Sequence, residues 1–245
     1  MKIFISIIIS SLIAFNANAE NISQKLSNLF DELIPGDGLT EVSIQVHEED
    51  NPDIEILTNR SLDKTDNSNR FIQMSLHTQE TNNKDRLITN LGYGYRELSD
   101  DNSFMYGANA FIDIESEGHM RASLGLEAKG KILDLNANFY EAISGKEKVG
   151  GVNEEVLSGY QLNLASQIPY MPWSTLNIQN YYFENIKASN DTEGNKISLE
   201  MNLTPTLQFD ISQDFSDTTG VDDETDFKLS LRYPPTENKP NLQDG

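Results

Sequence analysis

The chain contains no cysteine, so neither a disulfide framework nor a thiolate metal site is available to it. Histidine is scarce, and His47, His77 and His119 stand apart with none of the spacings that ligate a metal. Basic residues are also few: 18 Lys and Arg face 39 Asp and Glu, for a formal net charge of −21. A surface of that sign repels phosphate, which excludes nucleic acid as a partner. The acids gather in polar segments such as Glu48-Glu49-Asp50 and Asp222-Asp223-Glu224. These read first as solvated loops and second as a surface that recruits divalent cations. Catalytic patterns are missing too. No serine sits in a G-x-S-x-G elbow, and the Gly145–Gly151 stretch has glycines and lysines without Walker order. The chain is expected to be no enzyme and to need no cofactor.

Only one long apolar run is present, at the start. Lys2 supplies a positive charge, Ile3 to Phe15 is apolar, and Ala17-Asn18-Ala19 precedes Glu20. That is the pattern of a secretory signal peptide cleaved after Ala19, with Ala17 and Ala19 as the small residues of the cleavage site. The run is too short to serve as a membrane anchor. Next, Ile22, Leu26, Leu29, Phe30, Leu33 and Ile34 recur at helical spacing until Pro35-Gly36-Asp37-Gly38 stops them.

From there to Tyr233 the apolar period is two. Met120, Ala122, Leu124, Leu126 and Ala128 alternate with Arg121, Ser123, Gly125, Glu127 and Lys129. Leu133, Leu135, Ala137 and Phe139 oppose Asp134, Asn136, Asn138 and Tyr140, and Phe227, Leu229, Leu231 and Tyr233 oppose Lys228, Ser230 and Arg232. Successive side chains of a strand point to opposite faces, so each segment has one apolar and one polar face. The pattern predicts strands near 41–48, 53–61, 69–79, 86–97, 103–115, 120–129, 132–143, 155–168, 174–186, 196–204, 206–215 and 225–233. About twelve strands of roughly ten residues suit a tilted transmembrane β-barrel. A secreted β-sandwich or a lipocalin-type barrel gives the same alternation, but with shorter strands as a rule. Tight connections at Gly130-Lys131 and Pro205 against polar stretches at 145–153, 187–195 and 216–224 also favour the membrane form. Tyr93, Tyr95, Tyr140, Tyr170, Trp173, Tyr181, Tyr182 and Tyr233 lie near predicted strand ends, where aromatic girdles form.

Several of these segments form a familiar series. Leu91-Gly92-Tyr93-Gly94-Tyr95-Arg96 precedes Met105-Tyr106-Gly107-Ala108-Asn109-Ala110-Phe111-Ile112-Asp113, followed by Gly118-His119, Arg121, Gly125 and Glu127. Downstream come Leu135–Tyr140 with Ser144-Gly145, Gly159-Tyr160-Gln161-Leu162, Ile168–Pro172 and Gln179-Asn180-Tyr181-Tyr182. In order and spacing this resembles the barrel domain of the inverse autotransporters, the intimin and invasin family. The resemblance runs from about Leu26 to Tyr233, with Phe71-Ile72-Gln73 fitting an early strand. It implies a twelve-stranded outer-membrane barrel of a Gram-negative bacterium, with both termini periplasmic. It also implies outer-membrane lipid as the environment, and the barrel-assembly machinery and periplasmic chaperones as partners. The family's adhesive passenger follows the last strand, whereas here only 234–245 does, so no passenger is expected in this chain.

The expected organisation is a signal peptide (1–19), a pre-barrel helical segment (20–39), an all-β antiparallel barrel (40–233) and a flexible tail (234–245). Asn109, Asp113, Arg121, Gly125, Glu127, Lys129, Lys228 and Arg232 fall on the polar, lumen-facing side. Buried ions need partners, so Arg121 is expected to meet Asp113 or Glu127. Gly107 and Gly125 are expected where strands bend or where the wall thins for a passing chain. The charged residues would narrow a partly hydrated pore. Three functions remain open: a structural or translocating barrel without catalysis, a small diffusion channel, and a secreted soluble β-domain that binds a ligand.

Overall fold

The computed structural model describes residues 36–47, 51–80, 85–145, 147–149, 152–186 and 190–236, together with Lys25 and Asn28. The expected signal peptide and most of the pre-barrel helix and of the tail lie outside these residues.

Alternation is converted directly into strands. β1 (Gly38–Val46), β2 (Asp53–Lys64), β3 (Ser68–Glu80), β4 (Asp85–Leu98), β5 (Met105–Glu115), β6 (Met120–Lys129) and β7 (Leu133–Ala142) follow one another. After a small hairpin of β8 (Glu147–Val149) and β9 (Val152–Glu154) come β10 (Ser158–Ile168), β11 (Met171–Glu184), β12 (Thr192–Asn202), β13 (Leu207–Ser216) and β14 (Glu224–Tyr233). All but the hairpin join one closed barrel in the order β1-β14-β13-β12-β11-β10-β7-β6-β5-β4-β3-β2, which makes twelve strands. Each neighbour pair is antiparallel, and the seam is β1 against β14, from Thr40↔Tyr233 to Val46↔Phe227. Closure leaves the barrel no strand edge, so the ladder groups of its twelve strands find partners without water.

The up-and-down order puts the start of β1 and the end of β14 at one end of the barrel. That end also carries the connections 65–67, 99–104, 130–132, 169–170 and 203–206 and is called the turn end. The opposite, loop end carries the connections that follow β1, β3, β5, β7, β11 and β13. Beyond β14 the chain turns back, and Thr236 N donates to Pro205 O at 2.7 Å.

Polarity is inverted relative to a water-soluble domain. Leu124 is 65 % exposed and Leu135 50 %, while Glu127, one position from Leu126, is 7 % exposed. The outward rows continue with Leu76, Leu87, Leu91, Ile114, Phe139, Leu162, Leu176, Ile178, Ile197 and Phe227, all well exposed. Arg86, Gln167, Gln208, Asp226 and Ser230 are buried instead. In water this arrangement would expose a continuous apolar belt, far beyond the patches that monomers tolerate. In lipid it is the favoured one.

Aromatic side chains mark both ends of the belt. Tyr95 and Tyr106 point outward near the turn end, with Phe104 stacked on Tyr106 at 6.2 Å between centroids. Tyr160 and Tyr182 stack at 5.8 Å near the loop end. Tyr140 and Tyr181, expected in the girdles, turn into the lumen and bond Gln161 and Asp214.

Strand limits differ from expectation by up to four residues, and three of the shifted starts have a visible cause. β12 begins at Thr192 rather than 196, because Thr192 to Asn195, polar as they are, pair with β11, and Gly194 and Asn195 also with β13. β11 begins at Met171, where a bulge at Gln167/Ile168 and a bond from Gln167 Nε2 to Pro172 O accommodate the prolines. β10 starts at Ser158 because the preceding residues form the β8–β9 hairpin.

Candidate functional site

The inward rows meet in the lumen, and there the sequence-selected residues come together. On β4, β5 and β6 the register Asn90↔Asp113↔Arg121 lays three polar side chains across the wall. Asp113 accepts from Asn90 Nδ2 and from Arg121 Nη2, the latter at 3.0 Å. Arg121 therefore has the first of its two expected partners, and its guanidinium also lies 4.4 Å from the centre of the Tyr140 ring.

Glu127 goes elsewhere. Its Oε1 is 2.6 Å from Arg96 Nε, and its Oε2 is 3.4 Å from Lys129 Nζ. Arg96 was not among the sequence-selected lumen residues. The signal was present, since Gly92, Gly94 and Arg96 share the parity opposite Leu91, Tyr93 and Tyr95.

The glycines explain how such pairs form. Gly107 sits between Arg96 and Glu127 in register, and a Cβ there would strike the Glu127 carboxyl. Gly194 likewise lies beneath the Tyr181 ring, which crosses β12 to place its hydroxyl 2.9 Å from Asp214 on β13. Asn109 and Asn138 reach over Gly125, Phe111 covers Gly92, and Phe71 covers Gly94. The space at Gly107 and Gly125 is therefore occupied by neighbouring side chains, and is not a thinning of the wall for a passing chain. Glycine here supplies room, and its weak strand preference is outweighed by the bridges it permits.

The closing seam has its own ladder. Arg232 Nε bonds Glu41 Oε2 at 2.8 Å, and Lys228 Nζ lies 3.2 Å from Glu55 and 3.8 Å from Glu41. Lys228 and Arg232 thus tie β14 to β1 and β2, with Asn202 Oδ1 also accepting from Arg232 at 3.4 Å.

At the loop end of the seam stands His47, just past β1. Its Nδ1 is 2.7 Å from Asp226 Oδ1 and 3.3 Å from Glu224 Oε1, and its Nε2 is 3.0 Å from Asp53 Oδ2. Lys196 Nζ holds the other Asp226 oxygen. Burial alone lowers the His47 pKa, but the bonds to Asp53 and Asp226 and their charges outweigh it and raise the value above the usual 6.5. Nδ1 and one oxygen each of Glu224 and Asp226 lie within 4.8 Å of one another, a set able to hold a metal ion. In sequence His47 stands alone; in space it is enclosed by carboxylates up to 179 positions away.

Between the ladders lies a lumen cavity of about 950 Å³ toward the loop end. Arg86, Asp113, Arg121 and Tyr140 line it from the wall, and the segment 153–157 lines it from the β9–β10 connection. Arg86 pins that segment: its Nη1 is 2.9 Å from Glu115 and 2.6 Å from Glu154 Oε2.

A closed antiparallel barrel with an apolar exterior, aromatic rims and a charged, internally paired lumen defines an outer-membrane β-barrel. Comparison with solved structures agrees. The fold matches a membrane-protein structure from work on in-meso crystallization (TM-score 0.71, 17 % identity, 84 % of this chain and 88 % of that one). It also matches the KdgM porin (TM-score 0.52, 10 % identity, 80 % of this chain and 98 % of that one). The family is fixed by sequence: the model of the inverse autotransporter β-domain matches residues 13–239, and the chain belongs to that family. Among relatives, an attaching and effacing protein homolog of Escherichia coli (strain K12) is 30 % identical over 145 residues, 55 % of this chain and 48 % of that protein. The uncharacterized protein YchO of the same organism is 28 % identical over 136 residues, 52 % of this chain and 28 % of that protein. The matches thus span about half or less of these relatives.

Proposed function

We propose that this inverse autotransporter β-domain acts without catalysis, as a structural or translocating barrel exported by a signal peptide cleaved after Ala19. It would be delivered by periplasmic chaperones and inserted by the barrel-assembly machinery into the outer membrane of a Gram-negative bacterium, with the turn end and both termini in the periplasm. One observation carries the reading. The lumen charges are spent on one another, as in Arg96–Glu127, Arg121–Asp113 and Arg232–Glu41. Charges paired in this way hold a barrel open as a scaffold.

A second reading, a small diffusion channel, is favoured by the cavity of about 950 Å³. Planar-bilayer recording of the mature chain separates the two. A scaffold or translocator whose lumen is lined by side-chain bridges and by 153–157 gives small, intermittent currents. Versions lacking residues 20–38 or 234–245 should behave alike, since neither segment is expected to plug the lumen. A steady, porin-sized conductance from the unaltered chain favours the channel, and a silent barrel that opens on either deletion restores a plug.

A further inference from the structure

We propose that the loop end of the barrel seam is a transition-metal site, taking Zn²⁺ through His47 Nδ1 and one carboxylate oxygen each of Glu224 and Asp226.

The donor set has the right chemistry and nearly the right size. Zinc takes imidazole nitrogen and carboxylate oxygen at roughly 2.0–2.2 Å, and tetrahedral bonds of that length put ligand atoms roughly 3.3 Å apart. His47 Nδ1 lies 3.3 Å from Glu224 Oε1 and 2.7 Å from Asp226 Oδ1. Three protein ligands leave a fourth position for water.

Asp53 supplies the independent observation. Its Oδ2 lies 3.0 Å from the other ring nitrogen, Nε2. A carboxylate there accepts a hydrogen bond from Nε2–H, fixes the tautomer and leaves the Nδ1 lone pair pointing away from Asp53. That lone pair then faces two carboxylates. The contact is repulsive unless a cation stands between them, either a second ring proton or a metal. The arrangement is that of a carboxylate–histidine–metal relay, with Asp53 as a positioning residue.

The surroundings suit the ion. Lys196 binds Asp226 Oδ2, which offsets one negative charge and leaves Oδ1 turned toward His47 Nδ1, where an ion would replace their direct contact. A cavity of about 150 Å³ lined by Gln45, Asp53, Glu55 and Lys228 reaches the cluster at Asp53. The mixed nitrogen and oxygen set favours zinc over calcium and magnesium, which prefer oxygen alone. The ligands stand at the end of β1 and the start of β14, so a bound ion would staple the strands that close the barrel.

The test is calorimetric titration of Zn²⁺ into the full mature chain, folded in detergent micelles and freed of metal. One site per chain is expected, with Ca²⁺ failing to compete. His47→Gln and Glu224→Gln should each weaken it on the order of 100-fold or more, and Asp53→Asn by roughly 10- to 100-fold with the stoichiometry kept. Heat-modifiable gel mobility without zinc reports whether each variant folds. Absence of stoichiometric binding, undiminished binding by folded Glu224→Gln, or equal competition by Ca²⁺ would overturn the proposal.

Discussion

Arg96 and Glu127 form a 2.6 Å ion pair although their strands, β4 and β6, are not neighbours. The strand between them offers Gly107, whose missing side chain is the gap the pair bridges. Gly107→Leu should therefore separate the two charges and leave the deeply buried Glu127 carboxylate without its guanidinium. The expected loss is about 1.5–3 kcal/mol, the range for hydrogen bonds to charged groups. Gly145→Ala, which meets nothing within 4 Å, should leave stability unchanged. Urea unfolding in lipid vesicles compares the two, and equal stability would refute the bridging role.

Facing is tested by charge. Leu124→Arg or Leu135→Arg points a cation into lipid and should cost about 2–4 kcal/mol near the midplane. Ser123→Arg and Asn136→Arg face the lumen and should be tolerated. Equal damage at both sets in a vesicle folding assay would mean the faces are reversed or the barrel is not in a bilayer.

The β4–β5 turn predicts a pH response. Asp101 accepts bonds from the Ser99 hydroxyl first, then from the Ser103 hydroxyl and amide, which hold its pKa down to about 2 from 3.8. A folded value below the unfolded one stabilises above 3.8 and is lost as pH falls through about 2. Amide-exchange protection at Ser103 should stay constant down to about pH 4 and decline below it. Asp101→Ala should reduce that protection above about pH 4, and a decline already complete at about pH 5 in the unaltered chain contradicts the assignment.

Arg86 holds 153–157 against the lumen through Glu154. Because the chain has no cysteine, a single Asn138→Cys reports cavity access by thiol labelling. Adding Glu154→Gln should raise the labelling rate about 5- to 10-fold, as about 1–1.4 kcal/mol of lost pairing shifts the opening equilibrium. An unchanged rate would mean that the segment does not control access.

How far the sequence carried depends on distance along the chain. Strand positions were readable because the period of two is local, and β6 at 120–129 agrees to the residue. Arg121 with Asp113 was readable because adjacent hairpin strands place them opposite. Arg96–Glu127 was missed because it crosses an intervening strand and depends on a glycine whose purpose shows only in register. The His47 cluster was missed because it forms across the closing seam, where spacing carries no information. Thr192 to Asn195 looked like loop because their pairing is set by β11 and β13 rather than by their own apolarity.

The central claim is that this chain lives in lipid with its polar side turned inward. The most direct measurement is fractionation of cells expressing the full chain, with heated and unheated samples run side by side on a gel. The account predicts a mature protein confined to the outer-membrane fraction, extracted only by detergent and migrating differently once boiled. Mature protein found in the periplasm without detergent, with the same mobility before and after boiling, would contradict it.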